Sequence, residues 1–150
     1  MSMKVPYQTT LHVRDTCLCM YVQRAARALA RRFDAALRPM GLTNGQFSLL
    51  MCLNRPVPPK ISDAAEVLAM DRTTLTAALK PLKRKGLVES SIDPDDRRVR
   101  RLALTDKGED LLAEAVPIWE ATHERVEADL QAVTPDELRA ALIELSSIED

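Results

Sequence analysis

The chain has 150 residues and a net charge of −1, a length that suits a single domain, and it lacks the run of about 20 apolar residues that a membrane-spanning helix needs. Its three cysteines, an odd number, and an N-terminal segment, MSMKVPYQTT, without the apolar stretch of a signal peptide favour a reduced, cytoplasmic protein over a disulfide-bonded, exported one. Only two histidines, His12 and His123, and no Gly-rich phosphate loop argue against an enzyme, and we expect no cofactor and no metal site.

The nearly neutral total conceals a strong charge asymmetry along the chain. Residues 1–59 carry eight Lys/Arg and two Asp/Glu, residues 60–108 carry eleven and eight, and residues 109–150 carry two and twelve. Such a division suits a protein that turns a basic face toward phosphate and directs an acidic region away from it. Binding of a basic partner by the acidic region is the alternative.

The first predicted element is one long helix over about residues 10–37. Its apolar positions recur every three or four residues, and Pro39-Met40-Gly41 ends the pattern. These positions are Leu18, Val22, Ala26, Leu29, Phe33 and Leu37. Thr43 and Gln46 then form a predicted capping box that opens a second helix through Leu53, and Pro-rich residues 55–59 form a loop.

Two cysteines lie on the first predicted helix. Positions two apart on a helix point in nearly opposite directions, so we expect Cys17 and Cys19 neither to bridge each other nor to hold a metal together. Cys19 borders the apolar stripe and is interpreted as a small buried residue. Cys52, on the second helix, is expected in the core.

Residues 60–86 predict a helix-turn-helix. Ser62 is the predicted cap of a short helix, and Asp71 that of the helix that follows a tight turn. In the second helix Leu75, Leu79 and Leu82 form one apolar stripe, and Gly86 suits the left-handed position after its end. The residues left pointing outward are Arg72, Thr73, Thr76, Ala77 and Lys80. Arg can donate two hydrogen bonds to guanine, Thr can contact base edges or phosphate, and Ala allows close approach, so this face suits a DNA groove.

A basic hairpin follows. Residues 87–92 and 99–104 are predicted strands, joined by the strong turn former Asp93-Pro94-Asp95-Asp96. Four arginines are expected to crowd one side of it: Arg97, Arg98, Arg100 and Arg101. An Arg at a hairpin tip can enter a narrow minor groove while its neighbours bind phosphate, and Asp95 or Asp96 is predicted to orient one guanidinium through a bidentate pair.

Two more helices are predicted after the hairpin. The first runs from residue 105 to about residue 133 and should kink near Trp119 because it contains Pro117. Thr134-Pro135-Asp136-Glu137 carries the cap and first turn of the second. Its apolar face consists of Leu138, Leu142, Leu145 and Ile148. So large an apolar face is expected to pack against the first helix of a second copy, which makes the protein a dimer.

The segments DRTTLTAALKPLKRKGLVE and DPDDRRVRRLALTDKG resemble the pattern of the MarR family of bacterial transcription regulators, in which a recognition helix ends in "L…GLV" and is followed by "D…DRR……LT..G". The likeness extends from about Thr10 to the end of the chain. It implies a mainly α fold with a small β wing, a single domain over residues 1–150, with dimerisation helices at about 10–38 and 106–150 around a winged helix-turn-helix at about 43–105. Pro81, inside the recognition helix, departs from the pattern and predicts a kink in its last turn.

The resemblance further implies a homodimer that binds a pseudo-palindromic operator on double-stranded DNA, usually as a repressor that a small molecule or an oxidant releases. We expect the DNA contacts to come from the recognition helix and the wing. The expected residues are Arg72, Thr73, Thr76, Ala77, Lys80, Arg97 and Arg98. A protein-interaction module built on the same fold is an alternative, because a fold does not compel a function.

Two effector mechanisms are compatible with the sequence. In the first, an aromatic acid binds between the dimer helices and the winged lobe, with an Arg pairing its carboxylate. The candidate lining residues are His12, Arg14, Arg24, Met51, Met70 and Trp119. In the second, Cys19 is a redox sensor, since it aligns with the reactive cysteine of the family's hydroperoxide-sensing branch. The tyrosines that bind that thiolate in the branch are replaced here by Gln23, Phe33 and Asn44, and Arg24 or Arg27 could substitute for them.

Overall fold

Helices form most of the fold, and a two-stranded antiparallel sheet projects from it as a wing. The computed structural model describes residues 4–147. Within these residues the elements are α1 (Tyr7–Thr16), α2 (Leu18–Leu37), a 3-10 turn (Arg38–Met40), α3 (Asn44–Leu53), α4 (Ile61–Val67), α5 (Arg72–Arg84), β1 (Val88–Ile92), β2 (Arg100–Leu104), α6 (Asp106–Asp129) and α7 (Pro135–Ser146). The fold class expected from the sequence is confirmed.

The prediction of one long helix over residues 10–37 is wrong, because the chain leaves helical geometry at Cys17. This residue has φ −68° and ψ 105°, and its N–H donates to the carbonyl of Val13 to close α1. The side chain of Thr16 donates to the carbonyl of His12 at 2.6 Å. Side-chain bonds of this kind compete with regular helical hydrogen bonding and favour an end or a bend. The N-terminal region is therefore two helices, α1 and α2, that meet at Cys17.

Most predicted helix caps are confirmed. The Thr43 hydroxyl accepts from the Gln46 N–H while the Gln46 side chain accepts from the Thr43 N–H. Asp71 caps α5 by accepting from the N–H of Thr74 at 2.7 Å. Gly86 follows the end of α5 with φ +72°, the left-handed conformation expected of it.

The predicted cap at Ser62 is wrong. Lys60 precedes the first residue of α4, and Ser62 lies inside the first turn. The backbone of Lys60 is extended and pairs with the backbone of Arg101 in the wing. This tertiary contact ends the extended segment at Lys60 and starts the helix immediately afterwards.

The hydrophobic core lies inside the winged lobe, where α3, α5, the sheet and the first half of α6 meet. Leu75, Leu79 and Leu82 are each at most 1% exposed, which confirms the apolar stripe of α5. Cys52 is buried, as expected, and this burial raises the pKa of its thiol, so the group stays protonated. By contrast, no residue of α1 or α7 is buried.

The C-terminal helices begin as predicted. Thr105 caps α6, and Thr134 forms a capping box with Glu137 at the start of α7. The first of them ends at Asp129, several residues before the predicted end, because Leu130 takes an extended conformation with ψ 118°. Ile148, predicted to complete the apolar face of α7, lies outside the described residues. None of the helices in residues 4–147 has the length and apolar character needed to cross a membrane.

Candidate nucleic-acid interface

The recognition helix α5 separates an apolar face from a polar one. Its leucine stripe is in the core, while the five residues predicted to point outward are all exposed. These are Arg72, Thr73, Thr76, Ala77 and Lys80. The Thr76 hydroxyl donates to the carbonyl of Arg72 at 2.8 Å, which leaves its oxygen free to accept from outside. The helix thus presents hydrogen-bonding and positively charged groups at helical spacing.

Pro81 lies within α5, and the helix continues past it to Arg84. Proline has no N–H, so the carbonyl of Ala77 lacks the hydrogen bond that this position would normally supply. The turn closes farther on, where the N–H of Lys85 donates to the carbonyl of Pro81 at 3.1 Å. The kink expected at this place stays a prediction.

The wing is the β1–β2 hairpin, with Ile92 opposite Arg100 and Ser91 opposite Arg101. Successive residues of a strand point to opposite faces, so Arg100 is exposed whereas Arg101 is half-buried. The prediction that four arginines crowd one side of the hairpin is therefore wrong for Arg101. The other three remain at the surface of the wing.

Arg101 instead forms a buried anchor with Asp93, which is only 3% exposed. Its Nε donates to the Asp93 carboxylate, and its Nη1 donates to the carbonyl of Pro58 at 2.6 Å. The same carboxylate accepts the N–H groups of Asp95 and Asp96 at 2.8 and 3.0 Å. The anchor joins the wing turn, strand β2 and the Pro-rich loop.

The backbone N–H of Asp95 and the Arg101 guanidinium hold the pKa of the Asp93 carboxyl below its usual range. Sequence reasoning gave the holding role to Asp95 or Asp96 and missed Asp93. A signal was available, since an Asp at the first position of a turn commonly accepts backbone N–H groups two and three residues later.

At the tip of the wing, Asp96 orients Arg98. The Asp96 carboxylate accepts Nε and Nη2 of Arg98 at 3.2 and 3.4 Å, so the predicted bidentate pair is confirmed for Asp96. Arg98 nevertheless keeps 91% of its side chain exposed, and Arg97 beside it is also exposed. The wing tip thus offers two guanidinium groups to a partner, one of them pre-oriented.

A cavity of about 590 Å³ lies where α3, α4 and α6 meet. Its walls are mostly apolar, and Ser48, Asn54, Arg55 and Glu120 supply polar groups. Of the six candidate effector residues, it brings together only Met51 and Trp119. Arg55 is a cation at this cavity that sequence reasoning did not single out.

The other four candidates lie elsewhere in the protomer. His12 and Arg14 are exposed on α1, where Arg14 is paired with the neighbouring Asp15 at 2.6 Å. Arg24 lines a shallow hollow along α2 together with Arg27, and Met70 packs against the core. One chain alone does not assemble the six into a single site.

Trp119 divides two cavities. Its ring stacks on Phe47 with centroids 6.0 Å apart and on His123 with centroids 4.6 Å apart. The second cavity, about 330 Å³, lies between α2, α3 and α6, and both Phe33 and Asn44 line it. Trp119 and His123 are four residues apart on α6, but Phe47 comes from α3, so the sequence contained no local signal for the complete row of rings.

Cys19 is exposed in the protomer, so its interpretation as a buried residue is wrong. Its Sγ accepts a hydrogen bond from Nε2 of Gln23 at 3.1 Å, and Gln23 in turn accepts from Arg27 at 3.3 Å. Gln23, which replaces a tyrosine of the hydroperoxide-sensing branch, thus still supplies a donor to the sulfur. Cys17 lies at the junction of α1 and α2, whereas Cys19 lies within α2. The prediction that both thiols lie on one helix is therefore wrong.

Comparison with known proteins places these features in a family. The profile of the MarR family matches residues 42–99. The HTH-type transcriptional regulator TtmR of Methylorubrum extorquens is 31% identical over 136 residues, which cover 91% of this chain and 67% of TtmR.

Solved structures agree with this assignment. The Mycobacterium tuberculosis transcriptional regulator MosR in complex with DNA has a TM-score of 0.79 and 37% identity, covering 87% of this chain and 93% of MosR. Bordetella bronchiseptica BpsR, whose DNA binding is regulated by 6-hydroxynicotinic acid, has a TM-score of 0.78 and 25% identity, covering 88% and 94%. The chain therefore belongs to the MarR family, whose members are DNA-binding transcription regulators with a winged helix.

Proposed function

We propose that this protein is a homodimeric repressor that binds a pseudo-palindromic operator on double-stranded DNA and is released by a small aromatic acid. The observation that carries the proposal is the outward face of α5, which exposes Arg72, Thr76 and Lys80 beside a wing tip that exposes Arg97 and Arg98. A helix of this diameter fits the major groove of B-DNA, and arginines on a wing suit the adjacent minor groove. The proposal implies a cytoplasmic location, where bacterial operators are found.

Within this proposal, Arg72, Thr73, Thr76 and Ala77 contact base edges or nearby phosphates, and Lys80 contacts the backbone. Arg97 and Arg98 enter or flank the minor groove. The wing can hold this position because the Asp93–Arg101 anchor ties it to the carbonyl of Pro58. Orientation of Arg98 by Asp96 reduces the side-chain entropy that binding would cost.

Dimerisation by the two ends of the chain is supported by the apolar surface of α1, α2 and α7. Leu18 and Ile143 are 65% and 66% exposed, and other large apolar side chains of these helices are also exposed. Apolar patches of this extent mark interaction surfaces in soluble proteins. A second copy that covers them would complete the proposed division into dimerisation helices and a winged helix-turn-helix.

The 590 Å³ cavity supports an aromatic acid as the effector. Its volume falls in the range of about 300–1,000 Å³ that small-molecule sites occupy. Trp119 and Phe47 offer ring faces, and Arg55 offers a cation for a carboxylate. In BpsR the regulating compound, 6-hydroxynicotinic acid, is itself an aromatic acid.

DNA binding is tested by fluorescence anisotropy on the DNA upstream of the protein's own gene, titrated at several salt concentrations. We expect affinity to fall steeply with salt, and the Arg97→Gln and Arg98→Gln variants each to reduce the magnitude of the logarithmic salt slope by about one. The control is Arg125→Gln, which removes the same charge from an exposed position of α6. Unchanged DNA affinity in both wing variants would refute the wing assignment, and no DNA binding at all would favour the protein-interaction module.

Effector binding can be followed through Trp119, because it is the only tryptophan in the chain. We expect 6-hydroxynicotinic acid or a related aromatic acid to quench its fluorescence and to release the DNA. Arg55→Gln should weaken both effects, whereas Arg38→Gln, an exposed cation away from the cavity, should not. If Arg55→Gln leaves both effects unchanged, the carboxylate is not held by Arg55.

A thiol sensor is the second candidate, and the exposed Cys19 with its Gln23 donor favours it. The Cys19 thiolate would attack the terminal oxygen of an organic hydroperoxide, forming an S–O bond as the O–O bond breaks. This gives a sulfenic acid and an alkoxide, which takes up a proton from water and leaves as the alcohol. We expect stoichiometric hydroperoxide to release DNA from the wild type but not from Cys19→Ser, with Cys52→Ser as the buried control. DNA release that persists in Cys19→Ser would exclude this mechanism.

A further inference from the structure

Three segments that are distant in the sequence meet at a small cleft of about 70 Å³ between α5 and the wing. Lys60 and Ser62 come from the start of α4, and Arg72 is the first residue of α5. Arg98 and Arg100 come from the wing. Every one of the three segments therefore contributes a cation.

Three of these cations form no direct ion pair. Among residues 4–147, Arg98 pairs with the carboxylate of Asp96 at 3.2 Å, whereas no carboxylate lies within ion-pair distance of Lys60, Arg72 or Arg100. The hydrogen bonds from Arg98 and, to a smaller extent, the charge of Lys60 lower the pKa of Asp96, so this carboxylate lies on the Arg98 side of Lys60 without pairing with it. Asp71, next to Arg72 in sequence, directs its carboxylate to the N–H and hydroxyl of Thr74. The cleft thus combines three cations that form no direct ion pair with the hydroxyl of Ser62, the donor set that binds an oxyanion.

Backbone contacts hold the sides of the cleft together. Lys60 pairs with Arg101 through an isolated antiparallel bridge, and the N–H of Leu102 donates to the carbonyl of Pro59 at 3.0 Å. Arg101 adds a side-chain bond to the carbonyl of Pro58. Because Arg100 precedes Arg101 in β2, its position relative to Lys60 is set by the same contacts and not by a flexible loop.

The size and place of the cleft select its occupant. Sites for small organic molecules usually exceed about 300 Å³, whereas this cleft has room for one compact group. Each strand of a duplex separates a major groove from a minor groove. If α5 occupies the major groove and the wing the adjacent minor groove, one sugar-phosphate strand must pass between them, which is where the cleft lies.

We propose that this cleft binds one backbone phosphate of the duplex, with Lys60 and Arg100 as its principal ligands and Ser62 and Arg72 as additional donors. The proposal rests on the proposed function, because it needs α5 and the wing to bind the same duplex. Such a contact positions α5 in the groove and carries no sequence information. Lys60, Ser62 and Arg100 thereby join the DNA contacts expected from α5 and the wing tip.

The first test uses Lys60→Gln and Arg100→Gln, with Arg38→Gln as the matched control in the 3-10 turn near the opposite end of α5. We expect each cleft variant to lose affinity for operator and unrelated duplexes by the same factor and to reduce the magnitude of the salt slope by about one. Arg38→Gln should bind as the wild type does. Circular dichroism and thermal unfolding are the checks that all three variants fold.

The second test identifies the occupant. Duplexes with a single neutral methylphosphonate are scanned along each half-site against the wild type and Lys60→Gln. We expect one backbone position per half-site at which the neutral group weakens wild-type binding but leaves Lys60→Gln unaffected. In parallel, the protein–DNA complex is titrated with inorganic phosphate at constant ionic strength, and the DNA affinity shows whether a free anion competes for the cleft.

Several outcomes would overturn the proposal. Wild-type affinity and salt slope in both cleft variants would show that the cleft binds no phosphate. If every methylphosphonate weakened binding equally in the wild type and in Lys60→Gln, Lys60 would contact none of the scanned phosphates. If inorganic phosphate competed with DNA but no methylphosphonate position depended on Lys60, the cleft would be a site for a free anion. These results differ from failure of the wild type to bind any DNA, which would overturn the proposed function together with this inference.

Discussion

Asp93 shows how a single side chain controls the geometry of the wing. It is buried, accepts two backbone N–H groups of its own turn and binds Arg101, whose other nitrogen reaches the Pro-rich loop. The carboxylate therefore organises the turn and also joins β2 to a segment more than forty residues away, since Arg101 and Pro58 are 43 positions apart in sequence. Its loss should affect both stability and DNA binding.

The lowered pKa of Asp93 predicts a specific dependence of stability on pH. A carboxyl whose pKa is lower in the folded than in the unfolded state, where it is about 3.9, stabilises the fold fully above about pH 5. This contribution is lost as pH falls through the folded-state pKa. We expect the free energy of unfolding in urea to be lower for Asp93→Asn than for the wild type at pH 7. Between pH 5 and pH 3 this free energy should fall less in Asp93→Asn than in the wild type. Asp95→Asn, an exposed neighbour, is the control; equal acid sensitivity in the wild type and Asp93→Asn would contradict the assignment.

Gly108 provides a second prediction at this scale. A Cβ at this buried position would overlap the carbonyl oxygen of Leu87, the residue before β1, so the backbone at Leu87 or in α6 would have to shift. We expect Gly108→Ala to lower the free energy of unfolding by about 1–3 kcal/mol, measured by urea denaturation. Gly45→Ala is the control, because the nearest atom to the added Cβ would be Thr43 Oγ1 at 3.9 Å. This substitution should not destabilise the fold, since alanine favours a helix over glycine by up to about 1 kcal/mol. Equal effects of the two substitutions would show that the close approach is relieved without cost.

Among the elements, α5 combines two requirements that oppose each other at Pro81. The leucine stripe and the Asp71 cap favour a regular helix, whereas proline removes one of its hydrogen bonds. The helix nevertheless continues, because Leu79 and Leu82 on either side of Pro81 are buried in the core. Packing therefore overrides a local preference.

Pro81→Ala should restore the missing hydrogen bond to the carbonyl of Ala77. We expect the free energy of unfolding to rise by about 1 kcal/mol and the DNA affinity to fall, because a straighter last turn would change the angle between α5 and the wing and hence the docking of both on the duplex. The measurements are urea denaturation and anisotropy with operator DNA. Pro135→Ala is the matched control, since a proline at the first position of α7 replaces no helical hydrogen bond. Higher stability with unchanged DNA affinity would show that Pro81 does not control docking.

For the whole molecule, the exposed apolar residues of α1, α2 and α7 predict a dimer. In Leu142→Glu, a side chain that is 41% exposed in the protomer becomes charged. We expect this variant to run as a monomer in size-exclusion chromatography with light scattering. Its operator affinity should be roughly 100-fold lower, because two linked half-site contacts become independent.

Val57→Glu is the control for oligomeric state, since Val57 is 66% exposed but lies in the loop before α4 and not on a terminal helix. It should remain dimeric. A dimeric Leu142→Glu variant, or a monomer with undiminished operator affinity, would contradict the proposed arrangement of the dimer.

The candidate DNA-binding face was accessible from the sequence because its determinants are local. The leucine spacing of α5 specifies which residues are buried, and the remaining exposed positions follow from helical geometry. The effector site was not accessible in the same way. Met51 and Trp119 lie on α3 and α6, and nothing in either helix shows that Arg55, rather than Arg14 or Arg24, would share their cavity.

By itself, the sequence determined the order of the elements from α3 onward, most of the caps and turns between Thr43 and Thr134, which close on their own neighbours, and the membership of the chain in a family of DNA-binding regulators. Only the tertiary structure decided that Arg101 turns inward and that Lys60 lies beside Arg100. The physical reason is the range of the interactions. Caps, turns and helical stripes depend on residues three or four positions apart. The anchor and the cationic cleft depend instead on hydrogen bonds between the carbonyls of the Pro-rich loop and strand β2, which lies about forty residues later in the sequence.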